Sequence, residues 1–134
     1  MRNNNLIEAK RWTDEASNDI VAAEWLASGK FYSKTCFLSQ QAAEKALKGF
    51  LISKGVRDFT GHSTDFLLHK CSKFDASLKS LSRDCKRLDR HYIPTRYPDG
   101  LPEGTPHENY TVEDATEAIE MAKKVVYAVS KRVL

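Results

Sequence analysis

The sequence predicts an all-α fold: an up-and-down helical bundle of four main helices plus one short helix, with a long proline-rich loop before the last helix. Three observations predict it. Apolar residues recur at steps of three and four through most of the chain, no stretch alternates like a strand, and all four prolines (Pro94, Pro98, Pro102, Pro106) gather in one segment.

Asn5 followed by Glu8 has the form of a capping box, and Ala9, Trp12, Ala16, Ile20, Ala23 and Ala27 then keep helical spacing until Gly29. A second long helix runs from about Phe31 to Lys54 on Phe37, Leu38, Ala42, Ala46, Leu47, Phe50 and Leu51, and Gly55 stands where a left-handed C-cap is favoured. The short Gly29-Lys30 junction makes the two an antiparallel hairpin. Gly49 costs its helix about 1 kcal/mol against alanine, which marks a close approach of another helix. Ser63 caps a short third helix carrying Phe66, Leu67, Leu68 and Cys71. Leu78, Leu81, Cys85, Leu88 and Tyr92 form the apolar stripe of a fourth helix that begins near Asp75, with Lys79, Arg83, Lys86, Arg87 and Arg90 opposite. Prolines exclude regular helix from residues 93–110. Thr111 with Asp114 opens a fifth helix, carried by Ala115, Ile119, Ala122, Val126, Val129 and Val133.

With 134 residues, 41% hydrophobic and 29% charged, the chain is expected to fold as one domain over 1–134, and its composition excludes wholesale disorder. No apolar run approaches the roughly 20 residues of a membrane span and the first residues hold no apolar signal region, so the expected location is cytoplasmic, away from membranes. Cys36, Cys71 and Cys85 are odd in number and lack metal-site spacing; they read as small buried hydrophobes. Six glycines form no phosphate loop and no His/Asp/Glu set has ligand spacing, so neither a cofactor nor a metal is expected.

Charge is distributed unevenly. Residues 83–97 carry Arg83, Lys86, Arg87, Arg90 and Arg96 against Asp84 and Asp89, a surplus equal to the whole chain's net charge of +3. Residues 98–120 hold seven acids and no lysine or arginine. Structureless loops of such length are uncommon and usually functional, which directs attention to the segment Leu88 to Gly100.

Gln40-Gln-Ala-Ala-Glu-Lys-Ala-Leu-Lys48, Gly61-His62 and Arg96-Tyr97-Pro98-Asp99, in this order and spacing, resemble the HEPN domain family, named for higher eukaryotes and prokaryotes. The resemblance implies a helical bundle, usually a homodimer, commonly encoded beside a minimal nucleotidyltransferase that is its partner or antitoxin. It implies two activities among members: metal-independent ribonucleases, and nucleotide-binding or scaffolding modules without catalysis. Catalytic members place a histidine after an arginine with four to six residues between them. Here Arg87 and His91 have three residues between them, Arg96 and His107 have ten, and the pair that fits, Arg57 and His62, lies between the second and third helices.

These residues support several readings. A ribonuclease working without metal needs a proton-transfer group titrating near neutrality and a cation for developing phosphate charge, which His91 or His62 with Arg87, Arg57 or Arg96 can supply. His91 equally reads as a helix-end residue answering the C-terminal dipole, and His62 as a support for the third helix. Arg96, pinned between Pro94 and Pro98, presents a planar fork suited to phosphate; it also reads as a tie, with Asp99, to Gln41, Glu44 or Lys48. Tyr92 and Tyr97 can stack on a base or fill a gap. The basic stripe is a solvated face, a nucleic-acid surface or a dimer element facing the acidic fifth helix. The expectation is a homodimeric module binding a nucleotide or RNA through Arg96, Tyr97, Arg90, Tyr92, Lys48 and Asp99, with a nucleotidyltransferase partner; the alternatives are a ribonuclease toxin and an interaction domain of a larger protein.

Overall fold

The computed structural model of the protein describes residues 2–133, which form an all-helical bundle without a strand among the described residues. In chain order the elements are α1 (Arg2–Ser28), α2 (Tyr32–Ser53), α3 (Thr64–Ser72), a 3-10 helix (Ala76–Leu81), α4 (Ser82–Asp89), a second 3-10 helix (Pro98–Gly100), α5 (Pro106–Asn109) and α6 (Val112–Ser130).

α2 is the central element, packed on α1 and α6 along its length and on α3 and α4 at its sides. Phe50, Leu47, Leu51 and Ile52 from α2, Leu67 from α3, Leu88 from α4 and Val125 and Val129 from α6 are fully buried in one continuous core. The predicted close approach at Gly49 is present: a Cβ there would lie 3.0 Å from the Ala9 carbonyl oxygen, 3.1 Å from Trp12 Cβ and 3.2 Å from Thr13 Cγ2. Gly55 takes the left-handed conformation (φ +82) after α2, and its amide donates to the Ile52 carbonyl at 2.9 Å. Ser63 Oγ accepts from the Phe66 amide at 3.1 Å, and Thr111 and Asp114 close the capping box of α6.

Three elements depart from expectation. Asn5 does not cap α1, which begins at Arg2; its side chain instead accepts a hydrogen bond from Arg57 at 2.9 Å. The predicted fourth helix is two pieces. In Ala76–Leu81, the Asp75 carboxylate accepts from the Ser77 amide at 3.0 Å and Ser80 Oγ donates to the Ser77 carbonyl, so short polar side chains compete with the α ladder, while Leu78 and Leu81, both buried, suit a three-residue period. The helix then stops at Asp89 rather than continuing to Tyr92. Finally, the proline segment is ordered: Pro98 and Pro106 each stand at the start of a short helical turn, and Thr105 and Glu108 form a capping box on α5.

Cys36, Cys71 and Cys85 are buried free thiols, each pushed up to about 12 chiefly by burial. No helix among the described residues is long and apolar enough to cross a membrane.

Candidate functional site

Polar residues of α2 lie inside the bundle because the connection after Val56 and the end of α4 come back to meet them. Gln40, wholly buried, donates from Nε2 to the His62 carbonyl at 2.8 Å. Asp89, ending α4, accepts from the Thr64 amide and hydroxyl (both 2.7 Å), the Asp65 amide (3.1 Å) and the Ser63 hydroxyl (2.8 Å). One carboxylate thus satisfies the open donors at the start of α3 and fixes it to α4. The effect is to position His62. Its Nδ1 lies 3.3 Å from Glu44 Oε1, the other oxygen of Glu44 accepts from Lys48 Nζ at 3.0 Å, and its ring stacks on Tyr92 at 4.7 Å with planes 18° apart.

Tyr92 is shared with Arg96. After α4 the backbone turns tightly, with the amides of Arg96 and Tyr97 both donating to the Ile93 carbonyl. This sets Arg96 Nε to donate to the Tyr92 carbonyl at 2.9 Å and lays the guanidinium among three rings, its carbon 4.4 Å from the centroid of Tyr92, 4.6 Å from Phe37 and 5.0 Å from Tyr97. Stacked in this way, a guanidinium keeps its charge and directs the N–H groups of its edge outward. Among the described residues the terminal nitrogens of Arg96 have no hydrogen-bond or ion-pair partner, so the edge is a preorganised fork for an anion. The tie to Gln41, Glu44 or Lys48 is not what holds Arg96: aromatic faces and a backbone carbonyl hold it, and Lys48 is engaged by Glu44. Asp99 is exposed in the second 3-10 helix and makes no ion pair among the described residues.

A second arrangement lies between α4 and α6, where Arg87, Arg90, His91, Asp114 and Glu117 line a cleft of about 180 Å³. Arg87 is bonded to Glu117 within the chain, so this part of the basic stripe makes an intramolecular contact. The His91 ring meets Tyr110 edge to face at 5.6 Å and 63°, and its Nδ1 is buried with no partner among the described residues. Burial lowers the His91 pKa, opposed by Asp114 and Glu117, and keeps the imidazole neutral at pH 7. Burial also pushes the Tyr110 hydroxyl up to about 12.

The arginine–histidine pairs proposed from sequence therefore separate. Arg57 donates to Asn5 on α1, whereas His62 belongs to the Tyr92 stack. Arg87 and His91 share the α4–α6 cleft, with Arg87 already engaged. Arg96 is brought to His62 through Tyr92, and His91 is turned toward Tyr110. Sequence reasoning assigned Phe37 to the core and passed over its place here. Its signal was the α2 register: Phe37, Gln40, Gln41, Glu44 and Lys48 follow one another closely on a helix that buries Gln40 and Glu44 as polar residues.

Comparisons with known proteins place this geometry. The protein is 28% identical to a protein of Methanocaldococcus jannaschii named "Putative toxin MJ1304", over 91% of this chain and 86% of that one. It superposes on the crystal structure of TT1696 from Thermus thermophilus with a TM-score of 0.88, at 35% identity over 92% of this chain and 97% of the other. ST0689, described as an archaeal HEPN homologue, matches with a TM-score of 0.79 and 36% identity over 95% and 98% of the two chains. The model of the HEPN domain matches residues 9–133, and with the bundle, the α2 polar face and the Arg96 loop in place, the chain belongs to the HEPN domain family.

Proposed function

We propose that this HEPN domain binds RNA or a nucleotide through the Arg96 fork and its aromatic surround, as a toxin-like homodimeric module working with a minimal nucleotidyltransferase. The observation that carries the reading is the guanidinium of Arg96, stacked on Phe37, Tyr92 and Tyr97 with its terminal nitrogens unpaired among the described residues. Tyr97, 49% exposed, offers a ring to a base beside that fork, and the half-exposed His62 adds a second donor. The relationship to a protein named as a toxin supports the toxin-like part, and the family resemblance supports the nucleotidyltransferase. Fluorescence anisotropy with a labelled single-stranded RNA tests the binding: Arg96→Ala should weaken affinity at least tenfold, whereas Arg83→Ala, removing an exposed cation elsewhere, should change it less than threefold. Equal losses in the two variants would reduce the binding to bulk charge.

A second reading, metal-independent RNA cleavage, is favoured by one observation: His91, neutral and with an unpartnered ring nitrogen, stands beside Arg87 and Arg90. Since Arg87 is held by Glu117 in the cleft, we expect RNA incubated with the protein and EDTA to stay intact. Cleavage abolished by His91→Ala would make the chain a ribonuclease.

A further inference from the structure

The largest cleft of the molecule is not at Arg96. It runs between α3 and the segment formed by the first 3-10 helix and α4, and encloses about 610 Å³. Its walls are two helical edges. Along α3 the edge is Phe66, His69 and Ser72, and along the facing segment it is Lys79, Ser82 and Lys86, all at steps of three or four residues. A wall built on the 9 residues of α3 is about 13 Å long at 1.5 Å per residue. The cleft is therefore a trough, a form suited to a linear ligand.

The two walls differ in chemistry. Lys79 and Lys86 are exposed and have no ion-pair partner among the described residues, unlike Arg87 of the same stripe, which Glu117 engages. The acid of the trough does not answer them: Asp65 stands in the first turn of α3, where the helix dipole favours it, and accepts from the Ser82 hydroxyl at 2.8 Å. On the opposite wall Phe66 is 47% exposed although large and apolar. The Lys70 ammonium lies 5.0 Å from the centre of that ring and donates to the Asp58 carbonyl at 3.3 Å, which braces the ring where it is. Ser72 and Ser82 donate to the His69 carbonyl and the Asp65 carboxylate, so their hydroxyls keep lone pairs for main-chain N–H groups.

This combination fits an extended polypeptide. Successive side chains of an extended chain point to opposite sides, so acids at alternate positions meet the lysine wall while the apolar residue between them meets Phe66. A nucleic-acid strand carries a charge at every nucleotide and would set phosphates beside Asp65 as well as beside the lysines. We propose that the trough between α3 and α4 docks an extended acidic segment of a partner protein, with carboxylates on Lys79 and Lys86 and an apolar side chain against Phe66. The inference is independent of what binds at Arg96.

Fluorescence polarisation of the whole chain with a labelled hexapeptide alternating glutamate and leucine tests it. The peptide should bind at sub-millimolar concentration, with an affinity that falls at least tenfold in Lys79→Ala/Lys86→Ala and stays within twofold of the parent in Lys10→Ala/Lys34→Ala, which removes the same charge elsewhere. Phe66→Ser should weaken it at least threefold. Both lysines of the trough are exposed, so circular dichroism should report an unchanged fold. No binding at millimolar concentration, or equal losses in the two double variants, would overturn the docking site. A hexaglutamate peptide binding as tightly would overturn the part given to Phe66. Single-stranded RNA losing as much affinity as the peptide in Lys79→Ala/Lys86→Ala would make the trough a nucleic-acid groove and overturn the proposal.

Discussion

Arg96 holds its loop and offers its edge at the same time. Because its guanidinium contacts three aromatic rings and its Nε bonds the Tyr92 carbonyl, truncation removes packing as well as charge. Arg96→Ala should therefore lower unfolding stability by about 1–2 kcal/mol, more than an ordinary surface truncation; chemical denaturation checks this, and a change below about 0.5 kcal/mol would mean that the stack contributes nothing. Arg96→Lys should recover little of it, since an ammonium cannot stack as a plane. His91 gives the second expectation at this scale. Burial depresses its folded-state pKa below the ordinary 6.5, so between 6.5 and the lower value the unfolded chain binds a proton that the folded chain does not. Stability is therefore present above pH 6.5 and lost as pH falls below it. Melting temperature should drop between about pH 7.5 and 5.5, and the drop should shrink in His91→Phe; an identical drop in both would place the titrating group elsewhere.

Helix ends explain both what the sequence disclosed and what it concealed. The stop at Gly55 and the starts at Ser63 and Thr111 are legible because glycine with positive φ and Ser or Thr caps act within a few residues of themselves. The end of α4 is not, because Asp89 serves as a cap for α3, twenty-five residues away from Thr64, and local periodicity through Leu88 and Tyr92 continues past it. Asp89→Ala should cost about 2–3 kcal/mol, combining a lost cap with charge-assisted bonds to Thr64 and Asp65. Urea denaturation measures it, and Asp89→Asn should lose less by keeping one acceptor. Gly49 tests the α1–α2 crossing: alanine gains about 1 kcal/mol of helix propensity but pushes a methyl to 3.0 Å from the Ala9 carbonyl oxygen, an overpacking of about 1–3 kcal/mol. We expect Gly49→Ala to melt below the parent; a higher melting temperature would show that α1 moves aside freely.

Across the whole molecule, the charge asymmetry visible in sequence resolves into separate uses. Arg87 meets Glu117 inside the chain, Lys79 and Lys86 line the α3 cleft, and Arg96 sits among rings. Composition and spacing revealed the stripe, while its division depends on how α4 is rotated between α3 and α6, which no single segment encodes. The same holds for the large aromatics: Phe50 is core, but Trp25 is 76% exposed, and Tyr127 on α6 is 70% exposed next to a shallow apolar groove lined by Ile20 and Val126. That face is our candidate for the dimer contact. Light scattering should give about twice 15.2 kDa, and Tyr127→Lys should give the monomer with helicity intact; a monomeric parent at micromolar concentration would refute it. The central claim is the phosphate fork of Arg96, and the salt dependence of single-stranded RNA binding addresses it most directly. Between about 50 and 200 mM salt, Arg96→Ala should show a log–log slope shallower than the parent's by about 0.7, the loss of one phosphate contact, together with weaker binding at every salt concentration. Parallel lines of equal affinity would contradict the account.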